Sequence, residues 1–98
     1  MSYYVYMLKC TTCKNKKTYV GYTNNLKRRL LQHNSGLGAK FTKGNQWIII
    51  YKRRFVSKTK AMSYEYSLKS DKKKRLHIYN NFWWKYQFYY PTKRTILK

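Results

Sequence analysis

The chain has 98 residues, of which 23 are Lys or Arg and only two, Glu65 and Asp71, are acidic, for a net charge of +21. That length holds one domain with one modest core, and no stretch is long and apolar enough to span a bilayer. So unbalanced a charge repels itself unless a polyanion screens it, which points to nucleic acid, with an anionic membrane surface as the competing partner.

The apolar run from Met1 to Leu8 has no basic segment before it, so the sequence reads as starting directly in the fold and not in a signal peptide. Residues 3–9, YYVYMLK, are rich in β-formers and predict a strand. Tyr4, Tyr6 and Leu8 would share one face of it, and Tyr3, Val5 and Met7 the other. A polar turn, residues 10–17, leads to a second strand at 18–22, TYVGY, and the two predict a hairpin. Gly21 within it implies a bulge or a close backbone approach. Cys10 and Cys13 make a single C-x-x-C without the second pair that a tetrahedral zinc site needs. The spacing of His33 and His77 does not recruit them to it. The two cysteines read as free thiols in a turn, in a reducing intracellular compartment. The bias towards Lys, Asn, Tyr, Ile and Phe points to an AT-rich genome, as in organelles, bacterial symbionts or viruses.

Thr23-Asn24-Asn25 offers helix N-caps, and a first helix is predicted through LKRRLLQH to about residue 34, stopped at Gly36. Residues 39–46 form a basic loop carrying Lys40 and Lys43. WIIIYKRRF at 47–55 predicts a third strand, apolar on both faces at its start and therefore central or well covered. Ser57 is placed to cap a second helix, with Val56 and Ala61 as a hydrophobic staple, and Asp71 to cap a third. The tail alternates aromatic and basic residues. Its Trp83, Trp84, Tyr86, Phe88, Tyr89 and Tyr90 are divided between closing the sheet and stacking on bases. The order β-β-α-β-α-α describes an α+β domain with a small, three-stranded, mainly antiparallel sheet flanked by helices.

Helical geometry singles out two positions. At about 100° per residue, Arg29 and His33 fall at the edge of the first helix's apolar stripe, while Arg28 faces solvent. In a chain almost without acids a phosphate would supply the partner Arg29 lacks. Alternatively Arg29 snorkels and His33 bonds a backbone carbonyl. In the second helix Glu65 lies within the apolar stripe, where a carboxylate is costly unless paired or bound to a metal. It would hold a hard cation such as Mg²⁺, or else form an ion pair with Arg29 or a nearby Lys.

Tyr4-Val5-Tyr6 and Tyr19-Val20-Gly21, separated by a short hairpin turn, resemble the two signature elements of GIY-YIG nucleases. The segment YVGYTNNLKRRLLQHNSGLGAKFTKG is similar to that family's helix and following loop, closest to its small single-domain bacterial members, and SKTKAMSYEYSLK places Glu65 at the acidic position. Tyr4 stands where the family's first glycine would be, and the family's late asparagine has no secure counterpart beyond Asn80 or Asn81. The resemblance covers residues 3 to about 75, implying a nuclease domain over 1–78 with 79–98 as an extension of it. It implies that Tyr6 positions or deprotonates the attacking water and that Tyr19 supports nucleophile and phosphate. It further implies that Arg29 stabilises the transition state with help from His33, and that Glu65 is the single ligand of one Mg²⁺, with Mn²⁺ as the alternative ion. Arg28, Lys40 and Lys43 would meet the nucleic-acid backbone. The implied activity is metal-dependent hydrolysis of DNA, with RNA as the alternative substrate, structure-selective or weakly sequence-specific. The competing readings are a non-catalytic nucleic-acid-binding module on the same fold, and a basic membrane-surface or ribosome-associated protein. A protein partner supplying specificity is compatible with the first.

Overall fold

A computed structural model describes residues 1–82, and the aromatic tail discussed above lies outside the described residues. The elements are β1 (Tyr3–Cys10), β2 (Thr18–Thr23), α1 (Leu26–Asn34), β3 (Trp47–Phe55), α2 (Lys58–Ser70) and α3 (Lys72–Asn80), in the expected β-β-α-β-α-α order. The three strands form one antiparallel sheet in the order β2-β1-β3. No described helix is long and apolar enough to cross a membrane.

Strand β1 is the axis of the fold, and its alternation sends side chains into two separate cores. Val5 and Met7 pack with Val20, Ile50, Ala61, Leu68 and Ile78 under α2 and α3. Tyr6, Leu8 and Cys10 pack with Trp47 on the other face, where Leu26 and Leu30 of α1 cover them. The residues from Val5 to Leu8 are therefore all buried, though their side chains point alternately to opposite faces.

Strand β3 lies at an edge of the described sheet, not at its centre. Its apolar start has the other cause foreseen: cover on both faces, with Trp47 and Ile49 in the α1 core and Ile48 and Ile50 in the opposite one. A register shift opposite Met7 and Leu8 puts the bulge in the β1–β3 ladder. The β1–β2 register runs without a break from Tyr4↔Thr23 to Lys9↔Thr18, so Gly21 marks no bulge.

The helix ends follow local chemistry. The Asn25 side chain accepts the Arg28 N–H, Ser57 accepts that of Lys60, and Asp71 accepts that of Lys74. At the end of α1, Gly36 takes φ +84°. The Leu37 N–H then reaches the Gln32 carbonyl at 2.8 Å and the Gly36 N–H reaches that of His33 at 3.3 Å. This is the paired closure that a left-handed glycine permits. The expected staple before α2 is not made: Ala61 is fully buried, but Val56 is 72% exposed and turned away.

The C-x-x-C is also not a pair of free thiols. Cys10 and Cys13 are joined as a disulfide that closes the hairpin turn, their Cα atoms 5.7 Å apart. The tight turn after β1 brings the two positions within bridging range, which their spacing in the sequence did not specify.

Candidate active site

Tyr6 in β1 sits directly across from Gly21 in β2, and Leu8 sits across from Tyr19. Tyr6, Gly21 and Tyr19 thus share the face covered by α1. The glycine is required there by space. A Cβ at position 21 would lie 2.6 Å from the Tyr6 hydroxyl oxygen and 2.8 Å from the ring carbon that bears it. Gly21 is the close approach anticipated from the sequence, but what approaches is a side chain. Tyr6 lays its ring across the bare glycine backbone, with the Tyr19 ring 6.4 Å away, centroid to centroid.

From α1, His33 enters the same space and is fully buried. Its Nε2 lies 2.8 Å from the Tyr6 hydroxyl, and its Nδ1 lies 2.8 Å from the hydroxyl of Thr42. The directions of these bonds can be derived. The Thr42 hydroxyl has a single proton, which it donates to the Ala39 carbonyl at 2.9 Å; it accepts the Ala39 N–H at 3.2 Å. With that assignment it accepts from His33, Nδ1 carries the imidazole proton, Nε2 is bare, and the buried Tyr6 O–H has an acceptor. The Tyr6 hydroxyl must then donate to Nε2. Neither backbone-carbonyl bonding nor solvent accounts for His33: its two partners are side-chain hydroxyls on opposite sides of the ring.

Burial governs the protonation of this pair. It pushes the Tyr6 phenol up to about 12; the nearby Arg29 guanidinium opposes that shift, while the charges of Tyr19 and Glu65 reinforce it. Burial, with the positive charge of Arg29, pulls His33 down to about 4. The guanidinium's field does not make Tyr6 readily ionisable. Desolvation outweighs it, and at neutral pH the phenol keeps its proton while the imidazole is neutral.

Arg29, one turn before His33, is half-buried, and its guanidinium donates to the Gln32 side chain at 3.0 Å. It also borders an open groove of about 550 Å³ together with Arg28, Lys58, Asn24 and Thr23. Arg28 is exposed, and its guanidinium donates to the Asn24 side chain at 3.1 Å. The two neighbouring arginines thus face different surroundings, as the helical spacing implied. Glu65 projects from α2 and is shielded, its side chain 18% exposed, with Lys69 at 3.3 Å one turn on. Its ion-pair partner is therefore that lysine and not Arg29.

Lys40 and Lys43 are exposed on the loop that carries Thr42. They lie outside the hydroxyl–imidazole cluster. Of the two asparagines considered for a late role, Asn80 closes α3, and Asn81 caps it by donating to the His77 carbonyl at 2.8 Å. Among the described residues no three His, Cys, Asp or Glu side chains gather where they could hold a metal ion. Among the described residues, Glu65 is the carboxylate whose charge acts on Tyr6.

Several residues that build the site escaped the sequence reading. Thr42 sets the imidazole's proton and Gln32 holds the arginine. Gly38 gives the ring room, since a Cβ there would lie 2.4 Å from His33 Nδ1. Asn34 clamps the backbone of Trp47, accepting its N–H at 2.6 Å and donating to its carbonyl at 3.1 Å. The Trp47 indole in turn donates to the Thr42 carbonyl at 3.0 Å. A run of glycines after a helix carrying a buried histidine was the available signal for Gly38. No periodicity marks Thr42.

Comparison with known proteins places this arrangement. A family model described as the GIY-YIG catalytic domain matches residues 2–80. The chain is similar to a UPF0213 protein of Oceanobacillus iheyensis, 43% identical over 68 residues that cover 68% of this chain and 76% of that one. It is also similar to the UPF0213 protein YazA of Bacillus subtilis, 40% identical over 80 residues that cover 79% of this chain and 78% of the relative. Among solved structures, the solution structure of a UPF0213 protein from Bacillus halodurans matches with 36% identity and a TM-score of 0.48, covering 82% of this chain and 84% of that one.

Proposed function

This chain belongs to the GIY-YIG catalytic-domain family, and from that premise we propose that it is a metal-dependent endonuclease that hydrolyses phosphodiester bonds in DNA. The observation that carries the reading is the chain of short contacts through His33, whose Nε2 lies 2.8 Å from the Tyr6 hydroxyl and whose Nδ1 lies 2.8 Å from that of Thr42. Burial keeps this histidine neutral at neutral pH, with Nε2 facing the tyrosine hydroxyl, and the bound phosphate must raise its proton affinity before it can take that proton.

Hydrolysis needs a base for water, a cation at the developing phosphorane charge and a route for the proton. In the proposed step the water attacks phosphorus and passes its proton to the Tyr6 oxygen, while the P–O bond to the departing sugar oxygen breaks and that oxygen takes a proton from solvent. Tyr6 simultaneously passes its own proton to His33 Nε2. No free phenolate forms, so the high pKa of Tyr6 is no obstacle. The arriving phosphate also places negative charge beside Arg29, offsetting the guanidinium's field at His33 and raising the imidazole's proton affinity. Arg29, held by Gln32 and open to the groove, donates to the non-bridging oxygens. Tyr19, whose ring centroid is 5.0 Å from that of His33, completes the cluster.

Glu65 is the residue that would hold the divalent cation. One shielded carboxylate beside a basic groove suits Mg²⁺ or Mn²⁺, whose remaining positions are completed by water and phosphate oxygens, and does not form a closed protein cage. Such an ion supplies Lewis-acid stabilisation of the reacting phosphate. Arg28, Lys58, Lys40 and Lys43 contribute phosphate contacts that position the strand without reading sequence.

The test is nicking of linear and branched DNA by the purified chain with Mg²⁺, beside Tyr6→Phe. The variant keeps the ring against Gly21 and loses only the proton relay, so turnover falls by about 10²-fold or more. Wild-type turnover in Tyr6→Phe would remove the relay. DNA binding without cleavage by the wild type, across ions and substrates, would leave a binding module on a nuclease fold.

A further inference from the structure

Phe41 is out of place for a core aromatic. It is 52% exposed, in a loop whose next residue, Thr42, is fully buried and bonded on both its hydroxyl and its carbonyl. The loop's anchoring therefore fixes Phe41 at the surface instead of leaving it free to fold inward. Its ring lies nearly parallel to that of Tyr19, at 21° and 6.2 Å between centroids. Tyr19 in turn touches the His33 and Tyr6 rings, so Phe41 stands one ring outward from the proton relay.

Beside it opens a groove of about 300 Å³ lined by Thr18, Tyr19, Val20, Phe41, Lys69 and Arg75. Lys69 joins this groove to the candidate metal ligand through its ion pair with Glu65. The ammonium of exposed Lys17 stands over the Phe41 ring, 5.6 Å from its centroid. The groove on the Arg29 side is different in kind, with Arg28, Arg29 and Lys58 among its lining. One flank of the cluster thus offers several cations, and the other offers an exposed aromatic surface with cations around it.

We propose that Phe41, backed by Tyr19, is a stacking subsite for one nucleobase of the DNA strand next to the bond being cut. This rests on the nuclease reading above and specifies its substrate. A base can use the ring only if its own face is free. In a duplex both faces are covered by neighbouring pairs, so the base must leave the stack. That costs free energy for a paired base and least for a mismatched or single-stranded one. The subsite therefore favours strands with an unpaired nucleotide beside the scissile phosphate: single strands, flaps and mismatches. Stacking on an aromatic is sequence-tolerant, since every base has a π-face. The exposed Lys17 ammonium over the ring swings aside onto a phosphate when a base stacks there.

The test uses the full chain carrying Glu65→Gln, so that substrate survives, with oligo-dT containing one 2-aminopurine. The same probe is also annealed into a fully paired duplex. Binding is followed by anisotropy, and stacking by quenching of the 2-aminopurine fluorescence. The expected result is quenching on the single strand. Phe41→Leu abolishes it and weakens single-strand binding about 5- to 100-fold, and Phe41→Trp retains it. Duplex binding, dominated by phosphate contacts, changes less than twofold. Equal quenching and affinity in Phe41→Leu, or an equal loss on duplex and single strand, would overturn the subsite. Because stacking is read without cleavage, it stands or falls separately from the nuclease reading, which fails if the wild-type chain nicks nothing.

Discussion

Replacing Thr42 by Val tests the chain of hydrogen bonds through His33 at its least obvious link. Valine matches threonine in shape and removes only the hydroxyl. That hydroxyl accepts from His33 Nδ1 and from the Ala39 N–H, and donates to the Ala39 carbonyl. Ala39 is only half-buried, so water can take over its two bonds. His33 is fully buried, and its Nδ1–H would be left without an acceptor. An unsatisfied buried donor costs about 1–3 kcal/mol, which in a domain of this size lowers the melting temperature by about 5–15 °C. The imidazole can escape part of that cost by moving its proton to Nε2. It would then donate to Tyr6 and could no longer take the tyrosine's proton, so turnover should fall by about 10²-fold or more. Nicking rates, thermal melts and imidazole ¹⁵N shifts separate the two effects. Thr42→Ser, which restores a hydroxyl, should recover the Nδ1–H form and most of the rate. A wild-type His33 protonated on Nε2, or a Thr42→Val chain as active as the wild type, would refute the derivation.

Arg29→Ala should lower the cleavage rate at saturating DNA by about 10²-fold or more, as for loss of a donor to a developing oxyanion, whereas Arg28→Ala should mainly weaken binding; equal losses at saturation would sink the distinction. Glu65→Gln should abolish Mg²⁺-dependent nicking while gel-shift affinity persists, and losing the pair with half-exposed Lys69 should change stability by less than about 1 kcal/mol. The pH dependence of stability follows from the buried pair. His33 titrates near 4 in the folded chain against an ordinary 6.5, so the unfolded chain binds the extra proton between those values. Its contribution is complete above about pH 6.5 and is lost as pH falls towards 4, with a slope of at most about 1.4 kcal/mol per pH unit. For Tyr6, raised to about 12, the unfolded chain loses its proton first, so stability should also decline above about pH 10. Denaturant melts of the wild type and His33→Gln across pH 4–7 check the acid limb; parallel curves would show that His33 is not its source.

The sequence carried most of the backbone plan, because local chemistry decided it. Alternation in YYVYMLK, asparagine, serine and aspartate caps, and a left-handed glycine after α1 each act within a few residues. The same range made Arg28 and Arg29 distinguishable. What stayed hidden depends on contacts between distant segments. The edge position of β3 follows from strand order, which an apolar run does not encode. Thr42 meets His33 only once the loop folds back, and a threonine between Phe41 and Lys43 has no pattern to betray it. The upward pull on the Tyr6 phenol is hidden for a related reason: it comes from desolvation, and only the packing of Tyr6 against Gly21 and His33 reveals it.

The segment after α1 is fastened along its length. Thr42 bonds His33, the Trp47 indole holds the Thr42 carbonyl, and Asn34 grips the Trp47 backbone. At its far end the hairpin turn is tied in: Thr12 accepts the Gln46 N–H and donates to Asn45, while Thr11 donates to the Gln46 carbonyl. A segment held at so many points has no slack to absorb a change in its length. An inserted residue between Gly38 and Trp47 would move Thr42 out of reach of the imidazole or pull the clamp from the strand, whereas the exposed Lys14, Asn15 and Lys16 could take an insertion without disturbing these bonds. The hairpin tip, by contrast, has that slack, and a further module could be grafted onto the domain there.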